Sequence, residues 1–76
     1  MSLKLQIDEE HLLEIFERYN EGIKIQIRVS KYDIATVIVS AKNHSSIYLH
    51  DLIRHGYVLQ SVHVYEDTTE FVIYRE

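Results

Sequence analysis

The sequence predicts a small α+β domain, with two helices packed on one face of a four- or five-stranded antiparallel sheet. Three features point to it. Residues 23–39 read as two strands facing each other across a short polar turn. Two segments with helical spacing each run up to a glycine, Gly22 and Gly56, and each glycine opens onto a second strand pair. The turns within those pairs are short and polar, which makes the strands antiparallel neighbours. The expected order is (β)αββαββ, either ferredoxin-like with one extra strand or a duplicated αββ unit.

In chain order, residues 3–7 alternate apolar and polar side chains and suit a short first strand. Asp8 is a good N-cap, and Glu9 and Glu10 follow in a first turn where the helix dipole favours negative charge. Leu12, Ile15, Phe16 and Tyr19 then share one face at helical spacing, with Leu13 at its margin. The helix is expected to stop at Asn20-Glu21-Gly22, with Gly22 or Asn20 in a left-handed conformation.

The stretch Ile23-Lys24-Ile25-Gln26-Ile27-Arg28-Val29 alternates without an error. It puts its β-branched residues, Ile25 and Ile27 among them, on a buried face and Lys24, Gln26 and Arg28 on the other. Ser30-Lys31-Tyr32-Asp33 turns, with Asp33 placed to bond nearby backbone. Ile34-Ala35-Thr36-Val37-Ile38-Val39 is apolar on both faces, as in a strand near a sheet's centre.

Asn43, Ser45 and Ser46 offer caps for a second helix whose buried stripe is Tyr48, Leu49, Leu52 and Ile53, ended by Gly56. Residues 57–65 read as a strand, 66–69 as a turn and 70–75 as a final strand. The two halves align at the spacing of Gly22 to Gly56. Gln26 then matches Gln60, Asp33 matches Asp67 and Val37-Ile38-Val39 matches Phe71-Val72-Ile73; Ile15 falls on Leu49 and Tyr19 on Ile53.

With 76 residues the chain makes one domain, 1–76. A domain of that size buries only about 60 to 65% of its unfolded surface, so its core is thin. Cysteine is absent, which excludes disulfides, thiolate metal sites and a thiol nucleophile. No stretch reads as a signal peptide or reaches the roughly 20 apolar residues of a membrane span, so a cytoplasmic location is expected. The net charge of −4 argues against phosphate-driven binding.

No catalytic constellation stands out. The serines suit turns, strands and caps, and the two glycines make no phosphate-cradling loop. An enzyme is therefore not expected, and neither is a cofactor. Five histidines invite a metal reading, and Asp51 with His55 have chelating i, i+4 spacing. His50 points about 100° away from Asp51 on the same helix, so no metal site is expected.

Three surfaces remain as candidates. Glu10, Glu14, Glu17 and Glu21 line one side of the first helix and suit either solubility or the docking of a basic partner. Lys24, Arg28, His63 and Tyr65 offer bases and aromatics on the outer sheet face, a mix that can hold single-stranded nucleic acid. The final strand carries large side chains on both faces, so Val72 and Tyr74 are left without helices to cover them. The resulting expectation is a non-enzymatic interaction or regulatory module that self-associates as a homodimer through Val72 and Tyr74, by strand pairing or through the outer face. Nucleic-acid binding is the alternative.

Overall fold

The computed structural model describes residues 6–42 and 46–76 in full, and the backbone of Ser45. Among these residues two αββ units follow one another: α1 (Glu9–Glu17), β1 (Ile25–Val29), β2 (Ile34–Val39), α2 (Ser45–Arg54), β3 (Tyr57–Val64) and β4 (Thr69–Arg75). The strands form one antiparallel sheet in the order β1-β2-β4-β3. Each unit contributes a hairpin, and the hairpins abut through their second strands with Val37 opposite Phe71. The order αββαββ is the one that repetition of a unit would give. A ferredoxin-like sheet needs a strand ahead of α1. Most of the strand expected over 3–7 lies outside the described residues, and Gln6 and Ile7 are not in a strand.

Local chemistry sets the boundaries. The Asp8 carboxylate accepts from the His11 N–H (3.2 Å) and caps α1. At the other end the buried Asn20 side chain donates through Nδ2 to the Phe16 carbonyl (2.6 Å), closing an orphan acceptor. Gly22 and Gly56 take φ of +78° and +81°, so the left-handed residue after α1 is Gly22 and not Asn20. In the β1–β2 turn it is Ser30 that bonds locally, accepting from the N–H groups of Tyr32 and Ile34. Asp33, at φ 62°, instead accepts from the distant Ile7 N–H (3.3 Å) and so ties the chain ahead of α1 to the turn.

Both helices cover the same face of the sheet. The core joins Leu12, Ile15 and Phe16 of α1 and Tyr48 and Leu52 of α2 to Ala35, Val37, Val39, Tyr57, Phe71 and Ile73 from the strands. At its centre the Phe16 and Tyr48 rings stack at 4.4 Å, and each meets Phe71 at 5.0 Å. Buried aromatic pairs of this kind add to what their area alone contributes.

Four expectations are corrected here. The final strand β4 is interior, paired on both sides by β2 and β3, so it has no edge with which to pair another copy. Ile25 and Ile27 are only half-buried, because β1 is an edge strand that α1 covers incompletely. Leu49 and Ile53 are 40% and 63% exposed, and the buried stripe of α2 is Tyr48, Asp51 and Leu52. Tyr19 is 43% exposed, since α1 ends at Glu17 and the ring projects towards α2.

The strand match between the halves holds: Ala35, Val37 and Val39 occupy the places of Thr69, Phe71 and Ile73, all buried. The helices correspond at a spacing two residues longer, with Leu12, Ile15 and Phe16 in the places of Tyr48, Asp51 and Leu52. The reason is the connection: several residues separate α1 from β1, whereas α2 runs through Gly56 almost directly into β3.

Candidate interaction surfaces

The face of the sheet opposite the helices is uncovered among the described residues. Strand alternation and register give its composition. One row across the sheet is Gln26, Ile38, Glu70 and His63, and the next is Arg28, Thr36, Val72 and Ser61. A third row brings Ile34, Tyr74 and Val58 together. Ile34, Ile38, Val72 and Tyr74, on the two central strands, are half-buried, as are Thr36 and Glu70 beside them, while Gln26, Arg28 and His63 at the borders are exposed. An apolar centre with a polar rim is the anatomy of a protein interface.

The residues of the nucleic-acid alternative share this face but do not converge on it. Lys24 and Arg28 border β1, whereas His63 and Tyr65 border β3, three strand spacings or about 14 Å away. Between them lie the apolar centre and the Glu70 carboxylate.

A second surface runs along the junction of α1 and β1. Glu9, Glu10, Leu13, Ile25 and Ile27 line a shallow groove there. Glu14 and Glu17 continue the acidic side of the helix from Glu10, and Glu21 lies in the turn beyond it; all four are exposed. The groove opens onto the side of β1 that no described residue pairs. Ser40 N–H donates to the Lys24 carbonyl and Ser30 N–H to the Ile34 carbonyl, so the even-numbered residues of this segment bond β2. By alternation Ile25, Ile27 and Val29 present their N–H and C=O groups outward. The opposite edge differs, because a register shift between Leu59 and Ser61 bulges β3 at Gln60.

Asp51 is the functional-looking residue that sequence spacing misassigned. It is 6% exposed and lies between the helices, where its Oδ2 accepts from the Tyr19 hydroxyl (2.7 Å) and from Arg18 Nη1 (3.1 Å). The Tyr19 hydrogen bond, more than the Arg18 charge, holds the Asp51 carboxyl below its ordinary pKa and pushes the Tyr19 hydroxyl above its own. Deeper in the same seam the Tyr48 hydroxyl accepts from Asn20 Nδ2 (2.6 Å), and burial raises its pKa. Asp51 thus bonds across the seam to the end of α1, while the His55 ring meets that of His11 edge-on at 4.2 Å. Tyr57 packs beside His11, with Arg75 over the tyrosine ring at 4.8 Å. Among the described residues no three His, Asp or Glu side chains gather as metal ligands.

The sequence signal that would have marked Asp51 is its place three residues after Tyr48, a helical spacing that puts both on one face. No helix among the described residues is long and apolar enough to cross a membrane. No family model, curated protein or solved structure matches this chain.

Proposed function

We propose that the protein is a non-enzymatic interaction module that self-associates as a homodimer through the outer face of its sheet. One observation carries this reading: both helices lie on the opposite face, so among the described residues nothing covers the apolar residues Ile34, Ile38, Val72 and Tyr74 on the outer face. A sheet with apolar residues on both faces is stabilised by a second layer. A second copy fits because the face carries its own complement. A two-fold axis along the strands sets β1 of one copy over β3 of the other and β2 over β4, which brings Lys24 and Arg28 to the His63 border, with Glu70 one strand inward. Two such sheets pack about 10 Å apart with their apolar side chains interdigitated. The interior position of β4 moves self-association from strand pairing to face stacking, with Val72 and Tyr74 still central to it.

Sedimentation equilibrium tests the proposal. The expected result is a dimer mass at micromolar concentration that persists in high salt and is split by Tyr74→Glu or Val72→Glu, with the circular dichroism of the monomer unchanged. A monomer mass up to hundreds of micromolar (on the order of the weakest stable interfaces) would overturn it. The salt arm separates the nucleic-acid reading: capture of single-stranded oligonucleotide that collapses as salt rises favours phosphate contacts by Lys24 and Arg28.

A further inference from the structure

We propose that the outer edge of β1, which no described residue pairs, captures an extended segment of a partner protein in which apolar residues alternate with Lys or Arg. Three features of the α1–β1 junction meet at this one place. First, the edge is competent to pair: Ile25, Ile27 and Val29 direct their N–H and C=O groups away from β2, and no bulge or proline interrupts the five residues. An added antiparallel strand would complete those bonds as the sheet's fifth member. The β3 edge lacks this property, because Gln60 disrupts its ladder.

Second, the groove supplies side-chain pockets on one face of such a strand. Leu13, Ile25 and Ile27 line it and are half-buried, so alternate apolar side chains of the incoming segment would finish their burial under α1. Third, the wall of the groove is acidic. Glu9 and Glu10 line it, and Glu14 and Glu17 extend the same side of the helix, without an intervening cation among these positions. Carboxylates at i, i+4 repel one another, and a cationic strand relieves that repulsion.

The same acidity selects the occupant. A second copy adding its own β1 by two-fold pairing would bring its α1, with the same glutamates, against this one. Like charges would then face each other across the new seam. A partner strand without an acidic helix above it meets no such opposition. The docking surface is separate from the outer sheet face, so an edge strand and a face-to-face dimer are compatible.

The experiment is a titration of the isotope-labelled 76-residue chain with two capped eight-residue peptides, one alternating Val and Lys and the other alternating Val and Glu, followed by amide chemical shifts. The proposal expects saturable shifts for the Lys peptide at Ile25, Ile27, Val29 and Leu13, weakening as salt rises, and none for the Glu peptide. Exchanging the exposed Glu9→Lys and Glu10→Lys together should weaken binding about tenfold without unfolding the chain. Ile27→Pro, which removes an outward N–H, should abolish it. Tyr74→Glu, on the other face, should leave it unchanged. Equal binding of both peptides, shifts confined to Ile38, Val72 and Tyr74, binding indifferent to the Glu9 and Glu10 exchange, or no saturable shift would overturn the proposal.

Discussion

The first αββ unit buries an unbroken apolar stripe of Leu12, Ile15 and Phe16, whereas the second places Asp51 where the first has Ile15. The sheet halves differ in the same sense: β1 is regular and open at its edge, and β3 is bulged. One packing scheme thus tolerates a buried carboxylate, provided the neighbouring helix brings it partners. Arg18 and Tyr19 do so from just beyond the end of α1, so the apolar half supplies the groups that the polar half requires. The halves correspond in position without being equivalent in chemistry, and each compensates the other across the seam between the helices.

The comparison can be broken most severely at its centre. Phe71 and Val37 face each other in the register, and Phe71 adds ring contacts with both Phe16 and Tyr48. Phe71→Ala should cost about 3 to 5 kcal/mol in denaturant unfolding, a large share of a small domain's stability. A cost no greater than that of Val37→Ala would mean that the aromatic cluster is not the core's main support.

A middle-sized effect sharpens the correspondence. Gly22 and Gly56 have nearly the same positive φ, and a Cβ at either would touch nothing within 4 Å. The strain of left-handed backbone is then the whole penalty, so Gly22→Ala and Gly56→Ala should each cost about 1 kcal/mol. Thermal melts of the two variants should therefore coincide, and a neutral result at one glycine would show that its unit ends differently.

The smallest effect concerns the polar exception itself. The folded pKa of Asp51 lies below its ordinary 3.8, so its contribution is present above that pH and is lost as pH falls through the lowered value. The Tyr19 pKa lies above its ordinary 10.0, so the hydroxyl's contribution is present below that pH and lost as pH rises through the raised value. Asp51→Asn should flatten both limbs of the stability profile by lowering the plateau between them. Limbs identical to those of the parent chain would show that the pair is not coupled to folding.

Much of this architecture was legible because it rests on short-range rules. The Asp8 cap, the alternation of β1, the two-faced apolarity of β2 and the glycine stops are all written within a few residues of where they act. What escaped depends on distant partners. The buried face of α2 differs from the simplest hydrophobic stripe, because Asp51 is admitted to the interior by residues of α1. Alternation shows which side chains share a face, but the inward position of β4 follows from how the two hairpins meet. The outer-face residues were legible as a set, and their separation to opposite borders by the apolar centre was not.

The pairing of Val37 with Phe71 has a kinetic consequence. Each hairpin closes through a short turn, and each helix lies next in sequence to the strand it covers, so most contacts within a unit form early and locally. Joining β2 to β4 is the long-range event, and it requires both hairpins to exist before it is rewarded. The joining of β2 to β4 is therefore the expected slow step of folding. Substitutions along β2 and β4 at that seam should retard folding, while those at the outer strands should chiefly hasten unfolding.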